Sequence, residues 1–194
     1  MAERSAQVDA AGVVAGAALF LVSWRLALRK DLHDHEVYVM GAMNTQPAVV
    51  HGPLAVVMQL GSLGGGLAVA GVLGLRGKRR AGLTTAAAVT LSWLGAKGVK
   101  ELTRRGRPAD HLEDIVVRGR PQSGFGFPSG HAAISAAAAV AASRVVPVPV
   151  AAGLFGAAAA TSVARMYVGA HLPLDIVGGG GLGLALGCAA RLAQ

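Results

Sequence analysis

Three short stretches of this chain join cations or histidines to a helix breaker. They are Lys100-Glu-Leu-Thr-Arg-Arg-Gly-Arg107-Pro108, Phe127-Pro128-Ser129-Gly130-His131 and Arg165-Met-Tyr-Val-Gly-Ala-His171-Leu-Pro-Leu-Asp175. In the second, Pro128 disfavours helix before it and Ser129 is a strong N-cap, so Gly130 and His131 are expected in the first turn of a helix. The first amides of a helix lack intrahelical partners and carry the positive end of the dipole, which makes that end a site for an anion, phosphate above all. His131 would stand beside the anion and trade protons with it. Lys100, Arg107 and Arg165 would supply countercharge, and the arginine fork grips phosphate oxygens in pairs. The Ser129 hydroxyl and the amides of Gly130 and His131 would complete the cradle. His171 and Asp175 are four residues apart, about one helical turn, so the carboxylate can hold one imidazole nitrogen and leave the other free. Any one stretch has a plain structural reading: Pro-Ser-Gly starts a helix, and cations at the ends of apolar runs snorkel to headgroups. Their coincidence in one chain points to phosphoryl chemistry.

The ordered set K-x6-R-P, P-S-G-H, R-x5-H-x3-D resembles the signature of the type 2 phosphatidic acid phosphatase (PAP2) family, which shares its site with vanadium haloperoxidases. The resemblance runs from Lys100 to Asp175. It implies that His171 is the nucleophile and forms phosphohistidine, that Asp175 orients it, and that His131 protonates the departing oxygen. Lys100, Arg107, Ser129, Gly130 and Arg165 would bind the phosphate. It implies no metal and no other cofactor. In one departure, Ala164 precedes Arg165 where the family usually places serine, so a hydroxyl contact near Arg165 is missing.

Composition agrees with a membrane setting. Hydrophobic residues make up 53% of the 194 and charged residues 14%, against about 25% charged in a soluble domain; mean hydropathy is +0.52. The net charge of +8 comes with only 4% aromatics and with cations confined to loops. An anionic substrate and a charged membrane face account for that better than nucleic acid does. The single Cys188 leaves no intrachain disulfide.

Six apolar runs are expected to cross the bilayer, at about 10–28, 47–75, 81–99, 129–143, 147–165 and 172–190, in one domain covering 1–194. The expected fold is all-α: a six-transmembrane helical bundle of PAP2 type. The polar break 31–46 holds His33, Asp34, His35 and Glu36. It reads as solvated, with a short interfacial helix over 37–43, because two histidines two apart do not share a helix face. The Gly-rich 61–66 stretch lacks the Gly-Lys-Ser/Thr of a phosphate loop, and Gly179, Gly183 and Gly187 recur every four residues as a packing stripe.

Alternation places all three motifs at one membrane face, and the 76–80 loop, Arg144 and both termini at the other. The dense basic cluster Arg76-Gly-Lys-Arg-Arg80 marks the cytoplasmic side. The site is therefore expected outside the cytoplasm, on a multi-pass protein of the cell membrane. The expected activity is removal of phosphate from a lipid mono- or diphosphate. Polyprenyl diphosphate, phosphatidate, phosphatidylglycerophosphate and a prenyl phosphosugar are the candidates, with membrane lipids as surroundings and the oligomeric state left open. The alternatives are a vanadate binder of the haloperoxidase kind, whose relatives are soluble and larger, and a non-catalytic membrane scaffold.

Overall fold

The alanine-rich segment that follows Ser129 lies at the centre of the molecule. In the computed structural model, which describes residues 2–29 and 31–194, it is a helix over Gly130–Ala142 in which ten of the thirteen residues are buried. Small side chains let neighbours approach it on every side. Those neighbours are all helical, and no strand occurs among the described residues. In chain order the helices are α1 (Ala2–Ala27), α2 (Asp34–Asn44), α3 (His51–Met58), α4 (Leu63–Leu75), α5 (Arg79–Thr103), the central α6 (Gly130–Ala142), α7 (Val148–Tyr167) and α8 (Pro173–Leu192). α6 is enclosed by α4, α5, α7 and α8, while α1 lies along the outer side of α8.

The glycine stripe of α8 is the contact with α6. A Cβ on Gly179 would meet the Ser129 carbonyl oxygen, one on Gly183 the Ala133 carbonyl oxygen, and one on Gly187 the Val140 side chain. Between them Gly181 faces α1, where an added Cβ would come 2.8 Å from Gly16 O. α8 is thus pressed between two helices, with glycine where each backbone comes close.

Three helices, α1, α7 and α8, combine the length and apolar character that crossing a membrane needs. The run 47–75, expected as one span, is instead broken. Ala48–Gly61 and Leu63–Leu75 are bent by 65°. Ser62 sits at the break with extended backbone (φ −75°, ψ 156°), and its hydroxyl accepts from Gly65 N at 3.0 Å as the cap of α4. Gly61 and Gly64–Gly66 carry the lowest helix propensity short of proline. Gly66 also lets α4 close on Val89 and Ile134. The short helix expected over 37–43 falls within α2.

The two ends of the bundle differ in kind. At one end the 76–80 loop, the α6–α7 turn and both termini meet. The Lys78 ammonium donates to Val145 O, the Arg80 guanidinium donates to Ala193 O, and Arg144 and Arg191 both pair with the buried Asp9 of α1. At the other end lie the exit of α5, the 104–129 loop, the start of α6, the exit of α7 and the start of α8.

Candidate active site

The α5 exit brings Lys100, the α7 exit brings Arg165, and the starts of α6 and α8 bring His131 and His171. All four line a cleft of about 760 Å³, together with Arg107 and Gly130. Its wall also has an apolar part, with Leu63 of α4, Trp93 of α5 and Ile134 of α6.

The cations are placed without being neutralised. Lys100 Nζ donates to the carbonyls of Phe125 and Gly126, both at 2.8 Å. Arg107 donates from Nε to Gly124 O at 2.8 Å, and from its two terminal nitrogens to Ala170 O at 2.7 Å and Ser123 O at 3.0 Å. Carbonyls fix direction but cancel no charge. Arg165 is 5% exposed, has only Met58 Sδ at 3.9 Å as a partner for a terminal nitrogen, and leaves Nε unpartnered. None of the three has a carboxylate partner among the described residues. Uncompensated buried charge is costly, so such a site favours an anion.

His171 is 3% and Asp175 0% exposed. Nδ1 of His171 stands 3.4 Å from Asp175 Oδ2, a little longer than a closed hydrogen bond. The same Oδ2 accepts from Leu172 N at 2.9 Å. Asp175 thus caps its own helix, which Pro173 opens, while facing the imidazole. Burial drives the His171 pKa well below the ordinary imidazole range. It outweighs the opposing hydrogen bond and charge of Asp175, and Lys100 and Arg165 push in the same direction as burial. The ring is therefore neutral, with an unshared pair available on one nitrogen.

Two residues to which the motifs assigned no role, Arg105 and Glu36, complete this arrangement. Arg105 NH1 donates to Asp175 Oδ1 at 3.0 Å, and its NH2 donates to Glu36 Oε2 at 2.6 Å. Glu36 Oε1 in turn accepts from Leu174 N at 3.1 Å. Burial alone would lower Arg105, but its bonds to Glu36 and the charge of Asp175 hold it above the ordinary arginine value. The polar break expected to be solvated therefore sends Glu36 inward. Asn44 from the same α2 is buried too, donating to Tyr167 O at 2.9 Å and Val116 O at 3.0 Å. The signal available in sequence was Arg105 itself, a third arginine inside the first motif.

Ser129 takes a different place from the one its type suggested. It is fully buried, its hydroxyl accepts from Ala132 N at 3.4 Å, and it does not line the cleft. Its role in the structure is the N-cap of α6. Its own N–H donates to the Asp175 carbonyl at 2.8 Å, which ties the starts of α6 and α8 together. Gly130 does line the cleft, and a Cβ there would meet nothing closer than Ala96 at 4.0 Å, so the α6 amide end is open. Ala164 is fully buried. Among the described residues no three His, Cys, Asp or Glu side chains gather as metal ligands.

Fold and site together are those of a phosphatase embedded in a membrane. The chain belongs to the PAP2 superfamily, whose family model matches residues 80–194. It is 35% identical over 146 residues to the decaprenylphosphoryl-5-phosphoribose phosphatase of Mycolicibacterium smegmatis, covering 74% of this chain and 78% of that protein. The protein of the same description from Mycobacterium tuberculosis is 34% identical over 121 residues, 62% of this chain and 66% of its own. Two crystal structures share the fold at 24% identity. Aquifex aeolicus LpxE matches with a TM-score of 0.70, over 83% of this chain and 96% of its own. The first transmembrane PAP2 type phosphatidylglycerolphosphate phosphatase from Bacillus subtilis matches with a TM-score of 0.75, over 91% and 94%. The protein is a PAP2-type membrane lipid phosphatase, a phosphoric monoester hydrolase.

Proposed function

We propose that the protein removes a terminal phosphate from a prenyl phosphosugar through a phosphohistidine formed on His171. One observation supports this above the others. A neutral, buried imidazole with its Nδ1 toward Asp175 borders a cleft that also holds His131 and three cations without carboxylate partners. Asp175 fixes the tautomer that leaves Nε2 with the unshared pair. Nε2 forms the bond to phosphorus as the bond from phosphorus to the leaving oxygen breaks, and His131 gives that oxygen a proton. Lys100, Arg107, Arg165 and the amides at Gly130 and His131 hold the charge spread over the equatorial oxygens, where stabilisation matters most. Water, losing a proton to His131, then cleaves the phosphohistidine. Ser129 serves by aiming the α6 amides and does not touch phosphate.

The phosphosugar assignment rests on the relatives named for such a substrate and on the apolar wall of Leu63, Trp93 and Ile134, which suits a prenyl chain. The whole chain acts as one domain crossing the membrane six times. α3–α4 form one bent crossing, and the site lies at the non-cytoplasmic face of the cell membrane.

The test is hydrolysis in detergent with excess EDTA, on a panel of prenyl phosphosugar, prenyl diphosphate, phosphatidate and phosphatidylglycerophosphate labelled in the terminal phosphate. The phosphosugar should turn over fastest. An alkaline quench should trap labelled protein from wild type and none from His171→Ala. Loss of all activity in EDTA with recovery on adding magnesium, or label persisting in His171→Ala, would overturn the mechanism.

A further inference from the structure

Beside the catalytic cleft lies a second one of about 290 Å³, bounded by the 117–122 loop, the 168–170 turn and α3. Arg107 and Arg165 belong to the walls of both clefts, and Arg118 and Arg120 add two further cations to the second. Its one carboxylate, Asp110, is engaged by Arg107 N at 2.7 Å. Arg118 is braced by donating to Tyr167 O at 2.7 Å, with its guanidinium 4.2 Å over the Tyr167 ring. The Arg120 side chain makes no hydrogen bond or ion pair among the described residues. Arg165, almost wholly buried, with its Nε unpartnered and no carboxylate partner among the described residues, lines both clefts.

We infer that the second cleft binds the phosphate released by the reaction, as a holding site on its way out. This rests on the phosphohistidine reading above. In an in-line displacement the nucleophile and leaving group stand at opposite ends, and cations meet the equatorial oxygens. His131 lines the first cleft and not the second, so the leaving lipid stays in the first. The group left behind after hydrolysis is a free phosphate against Arg107 and Arg165, the wall common to both. The cations that the second cleft adds beyond that shared wall are Arg118 and Arg120. A second phosphoryl group on the lipid would travel with the leaving group, on the His131 side, and so would not fill this cleft.

Equilibrium dialysis of labelled inorganic phosphate against the detergent-solubilised protein tests the inference without turnover. Wild type should bind two phosphates. With a non-hydrolysable lipid phosphonate bound it should still bind one. Arg120→Glu should weaken the second phosphate by about tenfold or more, the cost of losing one charge-assisted contact. It should still bind the phosphonate, which reports an intact first cleft; Arg120→Gln serves if the charge reversal fails to fold. One phosphate on wild type, or two with unaltered affinity on both variants, would overturn the site. Displacement of both phosphates by the phosphonate would assign the cleft to the lipid's own headgroup and overturn the product role. A failed phosphohistidine mechanism would show separately, as labelled protein in His171→Ala.

Discussion

Arg105 stands between two carboxylates, Glu36 and Asp175, and does not itself line the cleft. Its function is to hold Asp175 where it faces His171. Removing one member of a buried ion pair typically costs about 3–5 kcal/mol because the partner's charge is left uncompensated. Arg105→Met should therefore lower thermal stability as well as activity. Arg105→Lys keeps one charge but cannot bridge two carboxylates, since an ammonium lacks the planar fork. It should fold and lose about 10–100-fold in kcat with KM little changed, the scale seen when outer partners of a site are altered. A raised KM with kcat preserved would show instead that Arg105 meets the substrate phosphate. At this scale the residues around the cleft were legible, because a cradle for phosphate demands cations, amides and histidines in a fixed order. Glu36 was not. It is 69 residues from Arg105, and a glutamate beside two histidines in a polar loop looks solvated until α2 turns it inward. Ser129 shows the converse: its type suited both capping and phosphate contact, and only its complete burial chooses between them.

The element that sets the precision of the site is the α6–α8 contact. Gly179 lies against Ser129 O, the residue that caps α6 and fixes the direction of its open amides. Gly180, its neighbour, would place a Cβ in open space. Gly179→Ala should thus force α6 to move, with overpacking of about 1–3 kcal/mol and a clear loss of kcat. Gly180→Ala should leave melting temperature and rate near wild type. Measuring both in detergent decides the matter: equal behaviour of the two would mean that the α8 glycines serve no local packing role. This stripe is readable in the sequence because glycine at every fourth position of an apolar run lines up along one helix face. The break in 47–75 is less readable, since a continuous uncharged run carries no sign of direction. The cues are local, a serine able to cap and glycines that weaken the helix, and tertiary contact with α5 and α6 turns them into a 65° bend.

For the whole molecule, the bundle sorts its charges by end, and the two sets have different partners. Lys100, Arg107 and Arg165 border the cleft, where the proposed phosphate would account for them. At the other end Lys78 and Arg80 donate to carbonyls beside the helix termini, while Arg76 and Arg79 make no side-chain hydrogen bond or ion pair among the described residues. Nothing in the site explains that cluster. The proposed orientation, which keeps this short basic loop in the cytoplasm, would explain it. The sequence expectation that both termini lie at this end agrees with the structure, where Arg144 reaches Ser5 and Arg80 reaches Ala193. The number of crossings was harder to read, because α5 carries lysines and arginines at both ends and α6 has thirteen residues. At 1.5 Å per residue α6 is about 20 Å long, short of a hydrocarbon core about 30 Å thick. α5, α7 and α8, which pack against α6, are longer, at 25, 20 and 20 residues. The orientation is open to direct measurement. In a Cys188→Ser background, cysteine at exposed Ala109 should react with an impermeant thiol reagent on intact cells, and cysteine at exposed Ala193 should react only after the cells are permeabilised. The opposite labelling would turn the protein over, make its substrate an inner-leaflet lipid, and leave the 76–80 cluster outside the cell without a reason for its charge.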